Sequence, residues 1–126
     1  MKLFLAIAAG GAMGAVARHL LVQGAGLWAG PGFPWGVLLV NILGAFLAGA
    51  ATQLLSGTGP EAQLLRAGLM TGALGGLTTF SAFTLDIADL GGRGQVVLAF
   101  LYILLSVAGA LAALLAGMLL ARQLSA

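Results

Sequence analysis

Four long apolar runs fix what this chain can become. They are Leu3 to Ala17, continuing past Arg18 and His19 to Val22, then Phe33 to Leu55, Ala67 to Leu85 and Val96 to Ala121. Crossing the hydrocarbon core of a bilayer takes about 20 residues of helix, and each run suffices. Of the 126 residues, 61% are apolar and only 6% are charged, where a soluble domain has about 25% charged residues. A water-soluble fold this small exposes too large a share of its surface to hide so many apolar groups. The solvent is therefore mostly lipid. The expected fold is an all-α membrane protein of one domain, 1–126, with four transmembrane helices at about 3–23, 33–55, 62–86 and 95–122.

Three short breaks separate the runs. Gly24 to Pro34 is rich in Gly and Pro, with Trp28 and Trp35 placed like interfacial aromatics. Ser56 to Arg66 carries Gly57, Gly59, Pro60 and Glu61, and Asp86 to Gln95 carries Asp86, Asp89, Arg93 and three glycines. Such short loops leave no room for an extramembrane domain. Lys2, the first apolar run and Ala15-Val16-Ala17 mimic a signal peptide, but Gly10, Gly11 and Gly14 suit a packed helix better. A net charge of +2 is too small for a nucleic-acid surface, and with no cysteine there is no disulfide or thiolate chemistry.

Charge placement barely favours one orientation. With both ends on one side, that side holds Lys2, Arg66 and Arg122, and the other holds Arg93 and Arg18. So weak a positive-inside bias predicts insertion both ways and antiparallel pairing. Small residues four apart occur on every run: Gly10/Gly14, Ala45/Gly49, Gly68/Gly72/Gly76 and Gly109/Ala113/Gly117. In lipid such stripes let backbones approach closely. Four small helices make a thin bundle, so a homo-oligomer is expected.

Polar groups at membrane depth are few. Asn41, mid-way along the second run, reads either as interhelical glue or as an amide donor aimed at an anion. Gly75-Gly76-Leu77-Thr78-Thr79 interrupts the third run with poor helix formers. A broken helix at the midplane frees carbonyls for cations and N–H groups for anions; the plainer reading is a kink relieved by threonine. In an antiparallel pair two such breaks meet near the dyad. Their oxygens, without a carboxylate, suit Na⁺ better than a divalent ion. Phe80 and Phe83 share a helix face. They read either as packing residues or as rings whose positive edges meet a dehydrated anion. Tyr102 and Ser106, four apart, read as hydroxyl donors in line or as interhelical bonds. Carboxylates are confined to the predicted span ends, as Glu61 and Asp86, so a proton relay at depth is not expected. His19, beside Arg18, reads as an interfacial residue.

Together these residues resemble the Fluc/CrcB family of fluoride channels. The first run has Gly10-Gly11, Gly14-Ala15 and Arg18, and the second has Gly36, Val40-Asn41, Gly44 and Phe46. The third has Gly72, Gly75-Gly76-Leu77-Thr78-Thr79-Phe80-Ser81 and Phe83. The resemblance implies passive, fluoride-selective export from the cytoplasm across the cell membrane, conferring fluoride resistance. It implies an antiparallel dual-topology homodimer with two pores and a central structural sodium ion held by the carbonyls of Gly75 and Thr78. The implied fluoride pathway is Asn41, Phe80, Phe83, Ser81, Tyr102 and Ser106, with Arg18 near an aqueous mouth. Ala82 stands where the family often has Thr, His19 where it often has an aromatic, and Asp86 where Glu is frequent. The loss of a hydroxyl at Ala82 implies a shorter hydroxyl track. The competing readings are a small multidrug-type transporter, which needs a carboxylate that the first run lacks, and a non-conducting scaffold subunit.

Overall fold

The computed structural model describes residues 1–30 and 32–125; Pro31, in the first break, and Ala126 lie outside it. The elements are α1 (Lys2–Ala29), α2 (Trp35–Leu54), α3 (Pro60–Arg66), a π-helical segment (Ala67–Leu74), α4 (Gly75–Leu77), α5 (Phe80–Gly92) and α6 (Val96–Ser125). No strand occurs among the described residues. Three helices, α1, α2 and α6, are long and apolar enough to cross a membrane by length and composition.

Local chemistry explains where the elements differ from expectation. The first helix runs six residues past its expected end at 23, through Gly24 and Gly26, to Ala29. Glycine weakens a helix by only about 1 kcal/mol, and in lipid the backbone has no other partner. The helix stops at Gly30, whose φ of 74° suits a residue without Cβ. The expected helix 62–86 is not one rod. It comprises α3, the π segment and α4, then two extended residues, Thr78 (φ −83°, ψ 155°) and Thr79 (φ −153°, ψ 119°), then α5. Pro60 opens α3 at a position where its missing N–H costs nothing. Glu61 in the first turn and Arg66 in the last suit the helix dipole. The Arg66 guanidinium also donates to the Leu55 carbonyl, tying α3 to the end of α2.

Glycine decides the packing. α2 lies along α6, and α1 lies along the π segment and α4. A Cβ added at Gly49 would collide with the Leu114 carbonyl, and one at Gly117 with the Phe46 carbonyl. Gly10 and Gly14 meet the carbonyls of Gly68 and Ala73 in the same way. Backbones therefore touch without side chains between them, which lets dispersion hold helices that lipid would otherwise separate. Two apolar clusters fill what remains. One joins Val37, Leu38, Phe83, Leu90, Ala99 and Tyr102; the other joins Val40, Leu74 and Leu77. Outward-facing side chains such as Trp28 and Leu27, 93% and 87% exposed, are apolar, as a lipid-facing surface requires.

Gly49→Val is expected to lower the thermal unfolding temperature in detergent, by about 1–3 kcal/mol of overpacking. Gly91→Ala, on a helix position with open space around it, is expected to raise that temperature slightly. Equal melting of both variants would contradict the backbone-contact account.

Candidate functional site: a helix interruption between two cavities

The site is built around Thr78 and Thr79. In an uninterrupted helix each N–H bonds the carbonyl four residues back. Here two of those donors are diverted to side chains. The Thr79 N–H, which would have met the Gly75 carbonyl, donates to Asn41 Oδ1 at 2.8 Å. The Ala82 N–H, which would have met the Thr78 carbonyl, donates to Thr79 Oγ1 at 3.1 Å. Asn41 Nδ2 in turn donates to the Thr79 carbonyl at 3.0 Å. One amide from α2 thus satisfies both backbone groups of Thr79. Thr78 bonds back into its own helix, its N–H and its hydroxyl both reaching the Leu74 carbonyl at 3.0 and 2.9 Å. Gly44 makes room for this: a Cβ there would overlap the Thr78 methyl group.

The carbonyls of Gly75 and Thr78 lose their ordinary helical partners as a result. Arg18 Nη1 approaches the Thr78 oxygen at 3.4 Å, a long contact that leaves acceptor capacity unused. Neutral carbonyl oxygens without helical donors are the chemistry a weakly charged hard cation needs. The Gly75 and Thr78 carbonyls are thus candidates for such contacts. Among the described residues no cluster of His, Cys, Asp or Glu offers an alternative metal site.

Two cavities meet at Thr79. A groove of about 570 Å³ on one side is lined by Asn41, Gly75, Thr78, Thr79, Phe80, Phe83 and Ser106, among others. It is mostly apolar. The Phe80 and Phe83 rings lie 5.5 Å apart, tilted by 45°. Phe80 is 76% exposed, whereas Phe83 is buried. Ser106 is buried, and its hydroxyl has no hydrogen-bond partner. A buried orphan hydroxyl costs about 1–3 kcal/mol unless something else satisfies it. The second cavity, about 480 Å³, sets Arg18, His19, Thr79 and Ser81 among apolar Ala15, Val22, Val37, Ala82 and Leu85. The positive N-terminal end of α5 borders it, since Thr79 is the N-cap of that helix.

The sequence-predicted residues therefore divide. Asn41, Phe80, Phe83, Ser106, Gly75 and Thr78 come together on one side. Ser81 goes to the other side with Arg18, where its hydroxyl meets Thr79 Oγ1 at 3.2 Å. Tyr102 lines neither cavity. It is fully buried, and its hydroxyl donates to Asp86 Oδ2 at 2.9 Å. Asp86 is not at a helix end, because α5 continues to Gly92. Its carboxylate reaches across to α6 and accepts from the Tyr102 hydroxyl.

Two features escaped the sequence reading. Thr79, already expected to interrupt the third run, is also the N-cap of α5, its hydroxyl accepting from the Ala82 N–H. Phe33 joins a file of rings. It sits 4.7 Å from Trp35 and 5.5 Å from Tyr102, and Tyr102 lies 5.3 Å from Phe83. No helical spacing marks Phe33, because it stands outside any helix.

Comparison with known proteins agrees over nearly the whole chain. Residues 5–118 match the family described as CrcB-like protein, Camphor Resistance (CrcB). A relative from Phenylobacterium zucineum is 50% identical, with all of both chains covered. One from Sphingopyxis alaskensis is 49% identical, again with all of both chains covered. One from Rhodospirillum centenum is 45% identical over 97% of each chain. All three are named fluoride-specific ion channel FluC.

Thr79→Val is expected to remove the cap and destabilise the fold by about 1 kcal/mol, while Thr79→Ser keeps it. Asn41→Ala is expected to cost more, about 1–3 kcal/mol, since it strands two backbone groups at once. Thermal unfolding of the three variants in one detergent checks the order.

Proposed function

Because the chain belongs to the CrcB-like family, we propose that it is a fluoride channel giving passive, fluoride-selective export from the cytoplasm. It is an integral multi-pass membrane protein, and its business is conduction rather than catalysis. The observation that carries the reading is the position of Thr79, which walls a cationic cavity on one side and a phenyl-lined groove on the other.

The route follows from that position. Arg18 and the α5 N-terminus draw an anion into the cavity they border. Ser81 offers a hydroxyl there, exposed beside Thr79. Past Thr79 the anion meets the second N–H of the Asn41 amide, the ring edges of Phe80 and Phe83, and the unpartnered Ser106 hydroxyl. Fluoride gives up its water only where donors replace it. Neutral donors in series do so without the deep well that a buried countercharge would make. Larger halides fit poorly between rings so close together.

The assembly is an antiparallel dual-topology homodimer with two pores, each chain crossing the membrane four times. Three observations support this. The positive-inside bias is weak. The exposed area, 7855 Å², exceeds the roughly 6,200 Å² expected of a compact 12.5 kDa monomer. The groove is open along one side and holds a buried hydroxyl with no partner. A sodium ion at the dyad, held by Gly75 and Thr78 carbonyls of both chains, would neutralise oxygens that otherwise repel one another. The multidrug-transporter reading lacks support, since α1 carries no carboxylate.

Purified protein in liposomes is expected to release fluoride down its gradient, without a proton gradient, and to retain chloride. Phe80→Ile and Phe83→Ile are each expected to slow release at least about tenfold. Replacing Na⁺ by a large organic cation is expected to abolish it. A fluoride electrode reads all three, and equal leakage of chloride would sink the proposal.

A further inference from the structure

One residue outside the pathway is held more firmly than a connecting segment requires. Phe33 lies in the break between α1 and α2, and two constraints fix its backbone. The proline that follows disfavours helical geometry at Phe33. The Trp35 N–H donates to the Phe33 carbonyl at 2.8 Å across Pro34, which at φ −79° and ψ 59° centres an inverse γ-turn. The ring is fixed as well. It packs on Trp35 at 4.7 Å and meets Tyr102 at 5.5 Å and 88°, a T-shaped contact. Tyr102 is fully buried, its hydroxyl donates to Asp86 Oδ2, and its ring lies 5.3 Å from Phe83, tilted by 47°. Tyr102 is thus held at its tip by Asp86 and on its ring by Phe33. Neither Phe33 nor Tyr102 lines the groove that Phe83 lines. Phe33 borders a separate cavity, with Trp35 and Asp86.

We propose that Phe33 is a positioning residue of the fluoride pathway: through Tyr102 it fixes the tilt of the Phe83 ring that meets the ion. The inference rests on the fluoride-channel reading. A phenyl ring is positive at its edge and negative on its face. Whether Phe83 attracts or repels an anion in the groove therefore depends on its tilt. Tyr102 sets how far that ring can turn. A tyrosine held at two points yields less than one held at its hydroxyl alone, and Phe33 supplies the second point. Phe80, 76% exposed, takes its ring contact from Phe83, so a misplaced Phe83 disturbs both rings of the pathway. A leucine at position 33 would still cover apolar surface, but it has no ring to set against Tyr102.

Fluoride release from sparsely reconstituted liposomes tests this, because it separates two quantities. The fraction of vesicles emptied counts working proteins, and the rate of emptying reports on each of them. Phe33→Leu is expected to slow the rate about threefold to tenfold with the fraction unchanged, whereas a purely structural role would lower the fraction and spare the rate. Phe33→Tyr, which keeps the ring, is expected to match wild type. In a Phe83→Ile background Phe33→Leu is expected to slow nothing further, since the ring it positions is gone. A Phe33→Leu protein as fast as wild type, a Phe33→Tyr protein as slow as Phe33→Leu, or equal slowing in both backgrounds would each overturn the role of Phe33 while leaving the channel reading intact. If Phe33→Leu empties no vesicles, Phe33→Met is read in its place by the same criteria. Failure of both beside an active wild type would assign Phe33 to the fold and overturn the proposal. A wild type that releases no fluoride would overturn the channel reading, and this inference with it.

Discussion

Everything at the centre of this molecule depends on one side chain standing in for a missing turn of helix. Asn41 gives its oxygen to the Thr79 N–H and its nitrogen to the Thr79 carbonyl. In hydrocarbon a bare backbone group costs several kcal/mol, so an extended pair of residues at that depth could not persist unaided. With the amide in place, the extended pair separates two cavities, leaves the carbonyls of Gly75 and Thr78 without helical donors, and starts a fresh helix whose first turn points its dipole at Arg18. The two readings of Asn41, glue and anion donor, are compatible. The amide has two N–H donors and two acceptor lone pairs, and Thr79 uses one of each.

The glycine stripes serve the same end. Asn41 reaches Thr79 because α2 and the 60–77 rod come close, and Gly44 is where the Thr78 methyl fits. Larger residues along these seams would separate the helices by more than a hydrogen bond can span. The small core is a consequence. Its two clusters are modest, and backbone contact rather than side-chain burial holds the bundle together.

Much of this was legible in the linear chain, and the exceptions have physical reasons. Apolar run length disclosed α1, α2 and α6, because lipid imposes a minimum span. Small-residue spacing disclosed the seams. What could not be read was partnership at a distance. Asn41 and Thr79 are 38 residues apart, and Tyr102 and Asp86 are 16 apart. Nothing in local spacing says that one hydroxyl will be spent on a carboxylate while Ser106, a turn further on, keeps its own free. The resemblance put Ser81 on one pathway with Phe80, but successive residues of a helix point about 100° apart, and the two line different cavities. Phe33 gave no periodic signal at all. The π-helical segment was equally silent, since nothing in the order of Ala67–Leu74 separates it from an α-helix.

The helices differ in how they fit a hydrocarbon slab of about 30 Å. α2, with 20 residues, is about as tall as the slab, whereas α1 and α6, with 28 and 30, overshoot it. The amide that fixes Thr79 hangs from the helix that matches. Host bilayers of different depth are thus met by tilting the two overlong helices, while the register of the interior is carried by the one member with least reason to tilt.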